Sequence, residues 1–394
     1  MVRFKFLIAA GSIAALMFCA MPAAAVTVGV TDKEIVIGAT GALSGAASAY
    51  SSLTRGSAGY YNMVNAQGGV NGRQIRFLLR DDAYSPPRTV EQTRKLVEQD
   101  KVAFMAGQQG SLTSAAVKSY LNDAKVPQMF TIAALSAFND PKNYPWTTVS
   151  LPSAYVEGRM TAAYILKTNP NSKIAFLLQN DDAGRDWKRG LTEGLGPEKS
   201  KAITEVTFEI SDPSVDSQVL TLSQSKADAF IIVGPPKATT QAIRRAYDTD
   251  WRPATGLFIA SYATSIENVL TPAGLDKSKG LIAPTFLKDP SDPRWADDES
   301  LKNWAANMNK YNPGVPHDAL ARMGWLTAQM VVQAIKQAGN DLSRENLMKQ
   351  ATNIKMDSEL LLPGVTISTS PTNFGAIQTM RLQQFDGTRW NLVP

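Results

Sequence analysis

Residues 102–116 read VAFMAGQQGSLTSAA, and this stretch decides the fold class. The apolar run Val102–Ala106 predicts a buried strand, and a helix-forming stretch begins near Ser111 after a glycine-bounded turn. Ser111, Thr113 and Ser114 stand where N-cap residues are expected. A strand, a turn and a helix start place backbone N–H groups and hydroxyls at the carboxyl end of a strand, where open α/β sheets bind ligands. The turn therefore predicts either a site for an anion, such as a ligand carboxylate, or a simple helix cap.

Composition and charge narrow the class of partner. The chain has 394 residues, of which 44% are hydrophobic and 19% are charged, and its formal net charge is +5. This length predicts two or three domains. Lys and Arg are scattered along the chain, and no stretch interleaves them with aromatic residues, so we expect no nucleic-acid partner.

Residues 1–25 have the parts of a secretory signal peptide. Arg3 and Lys5 precede the apolar segment Phe6–Ala20, and three alanines follow as a cleavage site. The only cysteine, Cys19, lies inside this segment, so the mature chain has no disulfide and no cysteine-bound metal. We therefore expect a protein that is exported to the periplasm and carries no lipid anchor.

Strands and helices alternate through most of the remaining chain. This alternation begins with the apolar strand Glu34–Thr40 and recurs in a second series after residue 150. It predicts an α/β fold with two doubly wound parallel-sheet lobes. Breaks near 150, 284 and 370 predict a three-segment hinge. We expect an N-terminal lobe of 26–149 plus 285–370 and a C-terminal lobe of 150–284 plus 371–394.

The order of these features resembles the periplasmic substrate-binding proteins of ABC transporters of the branched-chain amino-acid type, which are leucine-binding-protein-like and have a type I periplasmic-binding fold. The resemblance covers nearly all of the mature chain. The segments that carry it are Ile35–Gly45 (IVIGATGALSG), Gly68–Gly72, Leu78–Asp82, Pro86–Lys95, Gly107–Thr113, Asp228–Gly234 and Gly280–Thr285.

This resemblance implies a ligand held between two lobes that close on a hinge. It implies a carboxylate bound by Ser111 and Thr113, a backbone contact near Ile132–Ala134, and an aromatic contact from Tyr50. It also implies a membrane permease with a cytoplasmic ATPase as partner, and we expect a monomer. The candidate ligand-binding residues are Tyr50, Gln109, Ser111, Thr113, Ile132, Ala134, Asp182, Pro235, Tyr262 and Phe286.

One departure from the family bears on the ligand. Amino-acid-binding members carry an acidic residue after the strand that matches Leu257–Ala260, and this chain has Ser261-Tyr262 there. A buried ammonium group without a partner charge costs several kcal/mol. We therefore expect a small aromatic or aliphatic acid as ligand. Asp181 and Asp182 could still pair with an amine, which leaves a branched-chain amino acid as the alternative.

Catalytic chemistry is not indicated. His317 is the only histidine, so the sequence lacks the partner that a triad or a histidine metal site requires. Asp81 and Asp82 are adjacent on a predicted strand and point to opposite faces, which favours a structural role. We expect no enzyme activity, no metal and no cofactor. The alternatives to a transport component are a ligand-sensing module that reports to a receptor and an exported α/β enzyme.

Overall fold

The computed structural model describes residues 1–2 and 27–393. The predicted signal peptide, including Cys19, lies outside the described residues apart from Met1 and Val2. Within the described part of the chain, no helix is both long and apolar enough to cross a membrane.

Within residues 27–393, the strands form two large sheets and one small hairpin. The first sheet is parallel, in the order β2-β1-β3-β4-β5. Its strands are β1 (Glu34–Gly41), β2 (Gln74–Asp81), β3 (Phe104–Ala106), β4 (Gln128–Thr131) and β5 (Thr147–Val149).

The second sheet continues the chain with β6 (Ile174–Gln179), β7 (Ile203–Phe208), β8 (Ala229–Val233), β9 (Gly256–Ile259) and β10 (Ile282–Thr285). After the small hairpin of β11 (Lys355–Met356) and β12 (Ile367–Ser368), it ends with β13 (Arg381–Phe385) and β14 (Trp390–Leu392). Its order is β14-β13-β10-β9-β8-β6-β7. Only the pairings of β13 with β10 and with β14 are antiparallel in this described sheet.

Helices cover the faces of both sheets. They are α1 (Ser51–Ala66), α2 (Pro86–Arg94), α3 (Ser111–Asp123), α4 (Ala154–Thr168), α5 (Asp182–Leu195), α6 (Pro197–Ser200), α7 (Asp216–Ser223), α8 (Pro236–Asp248), α9 (Thr271–Ala273), α10 (Glu299–Tyr311), α11 (Ala319–Ala338) and α12 (Arg344–Ala351). Every residue of β6 and β8 is buried, as expected for parallel strands covered on both faces. The predicted α/β class with two parallel-sheet lobes is therefore confirmed.

The core of the first lobe contains a very close contact between α1 and α11. A Cβ atom added to Gly324 would lie 1.8 Å from the carbonyl oxygen of Leu53, and one added to Gly56 would lie 2.2 Å from that of Ala321. The two helices can approach this closely only because glycine has no side chain. This contact fixes α1, and with it the position of Leu53, against the centre of the lobe.

Within residues 27–393, the chain passes between the two lobes three times. It leaves the first sheet after Val149, returns from the second sheet after Thr285 and enters the second sheet again before Arg381. The first and third passages lie side by side. Val149 donates its N–H to the carbonyl of Phe374 (3.1 Å) and accepts from the N–H of Ala376 (3.0 Å).

Candidate ligand-binding site

A cavity lies between the two lobes, where strands of both sheets end. Its empty volume is about 530 Å³, including the solvent at its mouth. The residues that line it are Tyr50, Leu53, Tyr84, Gln109, Gly110, Ser111, Ile132, Ala133, Ala134, Leu151, Gln179, Asp181, Ala183, Val233 and Tyr262. Most of them follow the carboxyl ends of parallel strands, which is where open α/β sheets bind ligands.

Ser111 lines the cavity as the first residue of α3. The N-cap position belongs to Gly110 (φ 101°), so the prediction that Ser111 caps the helix was wrong. The Ser111 hydroxyl instead accepts the N–H of Ala134 at 3.1 Å. Its own proton can still be donated to a ligand, and the first-turn N–H groups of a helix have no intrahelical acceptor. This corner of the cavity therefore offers donors and the positive end of a helix dipole to an anion.

Thr113 and Ser114 support this corner without lining the cavity. Thr113 is fully buried, and its hydroxyl donates to the carbonyl of Gln109 at 2.6 Å. Ser114 likewise donates to the carbonyl of Gln108 at 3.2 Å. Both hydroxyls turn back to the loop before the helix. Thr113 therefore lies outside the cavity, although the sequence grouped it with Ser111.

Tyr84 belongs to the cavity wall, although the sequence analysis did not select it. Ala83 (φ 48°) and Tyr84 (φ 59°) both have left-handed backbones, which are unfavourable for side chains other than glycine. Two carboxylates stabilise them: Asp81 accepts from the N–H of Ala83 and Asp82 from that of Tyr84, each at 2.9 Å. Asp81 and Asp82 thus have a structural role, as predicted: they stabilise the turn that places Tyr84 in the cavity wall.

Position 110 must be glycine, because the side chains of Thr113 and Tyr84 occupy the space that a Cβ atom would need. A Cβ atom there would lie 2.4 Å from Oγ1 of Thr113 and 2.6 Å from Cε2 of Tyr84. Beside it, Gln109 is held in place because its Oε1 accepts the N–H of Ala42 at 2.8 Å.

Three tyrosines form the aromatic wall of the cavity. The ring centroid of Tyr50 lies 5.8 Å from that of Tyr84 and 6.2 Å from that of Tyr262. Burial raises the pKa of each of these phenols above its ordinary value. All three hydroxyls therefore remain protonated at neutral pH and can donate or accept hydrogen bonds.

Asp181 supplies a buried carboxyl group on the second-lobe side of the cavity. It is the N-cap of α5, where Oδ1 accepts the N–H of Gly184 and Oδ2 accepts Nε2 of Gln179, each at 2.8 Å. Burial raises its pKa, although the bond from Gly184 acts in the opposite direction. Each oxygen keeps a lone pair for a further donor. A hydroxyl or an ammonium group of a ligand could bind here.

Three other predicted residues lie outside the cavity. Asp182 is the first residue of α5, and its half-exposed side chain pairs with Arg185 at 2.5 Å. Pro235 is the N-cap of α8 and lines a separate depression between second-lobe residues and Ala46 of the first lobe. Phe286 is 1% exposed and packs in the core of the first lobe. The remaining predicted residues, Tyr50, Gln109, Ser111, Ile132, Ala134 and Tyr262, line the cavity together.

A second contact joins the lobes near the cavity. Asp186 of α5 accepts two hydrogen bonds from Ser136, which follows β4: one from the N–H at 2.8 Å and one from the hydroxyl at 2.7 Å. Arg189 also donates to Asp186 at 2.6 Å. The side chain of Asp186 is only 5% exposed. Together with the Tyr50–Tyr262 ring contact, these bonds show that the two lobes are closed on each other.

The cavity lining has no cationic side chain: among the described residues that line it there is no Lys and no Arg. Within residues 27–393 there is also no cluster of three or more His, Asp or Glu side chains arranged to hold a metal ion. An anion in this cavity is therefore bound by hydroxyls, backbone N–H groups and the helix dipole.

The comparison with known families identifies this architecture. The family described as "Periplasmic binding protein" matches residues 34–389. The chain belongs to this family. Among curated proteins, this periplasmic binding protein is 22% identical, over 272 residues, to an "Amino acid binding protein" of Pseudomonas aeruginosa, covering 65% of this chain and 68% of that one.

Solved structures with the same fold belong to proteins named for different ligands. A possible leucine/isoleucine/valine-binding protein from Rhodopirellula baltica has a TM-score of 0.79 at 18% identity, covering 92% of this chain and 97% of that one. A fatty acid ABC transporter substrate-binding protein from Thermomonospora curvata has a TM-score of 0.77 at 23% identity, covering 93% of this chain and 92% of that one. A solute-binding protein from R. palustris in complex with 4-hydroxybenzoate has a TM-score of 0.74 at 17% identity, covering 91% of this chain and 95% of that one. At these identities the likeness establishes the fold of this periplasmic binding protein and not its ligand.

Proposed function

We propose that this protein is the extracytoplasmic solute-binding component of an ABC transporter, which captures a small carboxylate-bearing ligand and delivers it to a membrane permease with a cytoplasmic ATPase. One observation carries the proposal. The interlobe cavity has a helix start with Ser111 at one side, a buried carboxyl group of Asp181 at the other, and tyrosine rings in its wall. A ligand carboxylate matches the first group, and a hydroxyl or ammonium matches the second.

The lining also favours an apolar or aromatic body for the ligand. Leu53, Ile132 and Val233 line the cavity together with the tyrosines. Small aromatic and aliphatic acids fit this lining. A branched-chain amino acid fits as well, because Asp181 supplies the acidic partner that Ser261 does not. The solved structures named for leucine, a fatty acid and 4-hydroxybenzoate span these classes.

The capture step is closure of two lobes, 26–149 with 285–370 and 150–284 with 371–394, by bending at the three crossings. The Tyr50–Tyr262 ring contact and the Ser136–Asp186 hydrogen bonds support the closed form as the one that retains ligand, because each joins the lobes. The protein acts in the periplasm after removal of residues 1–25. It has no catalytic role and needs no cofactor.

A thermal-shift screen of residues 26–394 tests this function. The probes are L-leucine, 4-hydroxybenzoate and octanoate. A ligand present at about 100 times its Kd stabilises the folded chain by about 2.7 kcal/mol, which a melting curve resolves. We expect at least one probe to raise the Tm. A broader panel of small carboxylates, all without effect, would contradict the proposal.

Matched variants locate the two ends of the ligand. Ser111→Ala should weaken every carboxylate that binds, because it removes a donor from the anion corner. Asp181→Asn should weaken leucine and 4-hydroxybenzoate but not octanoate, which has no second polar group. The control is Asp182→Asn, which changes the exposed neighbour of Asp181 and should leave all affinities unchanged. Equal effects of the two Asp substitutions would exclude a specific role of Asp181.

A further inference from the structure

Glu157 is a buried carboxyl group that no part of the proposed ligand site uses. It lies in the first turns of α4, is 1% exposed and does not line the cavity. Both of its oxygens accept from one residue: Oε1 from the hydroxyl of Ser261 at 2.5 Å, and Oε2 from the N–H of Ser261 at 3.2 Å. Ser261 begins the short turn Ser261–Ala263 after β9, whose middle residue is the cavity residue Tyr262.

The surroundings of Glu157 supply no counter-charge. Among the described residues, no Lys or Arg forms an ion pair with it, and burial raises its pKa to about 7. The indole N–H of Trp187 on α5 faces the carboxyl group without reaching hydrogen-bond geometry, and Tyr262 is the ionisable neighbour on the turn. The basic side chains of α5 and of the adjoining turn of α4 are engaged elsewhere, in the pairs Arg185–Asp182, Lys188–Glu205, Arg189–Asp186 and Arg159–Tyr155.

We propose that Glu157 is a positioning residue whose carboxylate form holds Ser261, and thereby Tyr262, in the place that completes the cavity, so that ligand affinity increases as Glu157 ionises. This proposal rests on the proposed ligand-binding function. Under this proposal, Glu157 of α4, which lies outside the cavity lining, controls the position of Tyr262, which lies in the lining.

The physical reason lies in the two hydrogen bonds. A carboxylate accepts both the N–H and the hydroxyl of Ser261, and such charge-assisted bonds are about twice as strong as neutral ones. A protonated carboxyl group has a donor on one oxygen, which competes with the Ser261 hydroxyl proton. The turn is then held less firmly, and Tyr262 loses its fixed place opposite Tyr50. By linkage, ligand binding in turn favours the ionised form of Glu157.

The first experiment measures Kd between pH 5.5 and 8 for L-leucine, 4-hydroxybenzoate and octanoate, using the mature chain. The wild type should bind its best probe at least about fivefold more tightly at pH 8 than at pH 5.5. Glu157→Gln, which cannot ionise, should show a flat profile at the weaker affinity. Glu345→Gln, an exposed position on α12, is the control and should follow the wild type. A pH profile that persists in Glu157→Gln would overturn the proposal and point to Asp181.

A second experiment needs no ligand and separates this proposal from the proposed function. Amide hydrogen exchange is measured for the turn peptide 261–265, which excludes the core strand β9, in the ligand-free chain at pH 5.5 and 8. We expect this peptide to be more protected in the wild type than in Glu157→Gln at pH 8, and equally protected in both at pH 5.5. Equal protection at both pH values would refute the positioning role. If neither the three probes nor the broader panel of small carboxylates binds, the proposed function fails and this measurement alone decides the role of Glu157.

Discussion

The ring of Tyr50 in the first lobe lies 6.2 Å from the ring of Tyr262 in the second, centroid to centroid, at an interplanar angle of 68°. This edge-to-face geometry is favourable for aromatic pairs. The contact joins lining residues of the two lobes, so the two rings can meet only when the lobes are closed.

Removal of this contact should weaken ligand retention. Tyr262→Ala deletes the second-lobe ring, and an aromatic pair contributes about 0.5–1.5 kcal/mol beyond the area it buries. We expect the Kd of the best-binding probe acid to rise at least about tenfold, mainly through faster dissociation, as measured by stopped-flow fluorescence. Tyr247→Ala, at an exposed tyrosine of α8, is the control. An unchanged dissociation rate for Tyr262→Ala would show that the ring contact does not retain ligand.

The hydrogen bonds between Ser136 and Asp186 should stabilise the closed form. Bonds to a charged group contribute about 1.5–3 kcal/mol. Asp186→Ala should therefore shift the ligand-free chain towards open forms, seen as a larger radius of gyration in small-angle X-ray scattering, and should weaken probe binding about tenfold. Asp182→Ala is the control, because it removes a carboxylate of the same helix whose ion pair is with Arg185 of that helix. The idea fails if both variants scatter and bind alike.

Glu157 should make the stability of the fold depend on pH. Its pKa rises from 4.5 to about 7 on folding, so the folded chain binds the extra proton. Stability therefore falls as pH rises from 4.5 to about 7, by up to about 3 kcal/mol at 1.4 kcal/mol per pH unit. Urea unfolding at pH 5 and 8 should show that Glu157→Gln stabilises the chain more at pH 8, by roughly 2 kcal/mol. An equal gain in the free energy of unfolding at pH 5 and pH 8 would disprove the link between Glu157 ionisation and stability. The control Glu345→Gln should show no gain at either pH.

The contact of α1 with α11 should tolerate no side chain at Gly324. An added methyl group would lie 1.8 Å from the carbonyl of Leu53, and no rotamer change can relieve a clash with backbone. Gly324→Ala should cost about 3 kcal/mol or more, the upper range for overpacking, and lower the Tm. Gly59→Ala on α1 is the comparison, because its added atom would lie 3.1 Å from Cβ of Asn312 and 3.2 Å from Sδ of Met308, side-chain atoms that can shift by a few tenths of an ångström. Similar losses of Tm would mean that the helices can separate.

The fold class was predictable because the alternation of apolar strands with helical stretches is visible in the sequence. The predicted strand Glu34–Thr40 agrees with β1 (Glu34–Gly41) to within one residue, because a buried apolar run between turn residues leaves little choice. The strand β5, the helix α12 and the hairpin β11–β12 were not predicted. β5 has three residues and the strands of the hairpin two each, which is too short for periodicity to register.

The site was predicted less completely, because it depends on local choices that several residues could satisfy. Asp181 and Asp182 are equally good N-caps by residue type, and the choice of Asp181 as cap is what brings it, and not its neighbour, to the cavity. Gly110 took the cap position expected for Ser111. Tyr84 reached the cavity through a left-handed turn, for which a tyrosine gives no signal. Glu157 acts across 104 residues of sequence, and no local pattern reveals such a pair.

The absence of Lys and Arg among the described residues of the cavity lining has a consequence for the conditions under which capture works. Attraction between mobile charges weakens as dissolved ions accumulate, because the ions screen them. In the proposed function, a carboxylate is held by Ser111, by helix-start N–H groups and by phenol hydroxyls, which are fixed dipoles at contact distance. We therefore expect its capture to depend only weakly on ionic strength.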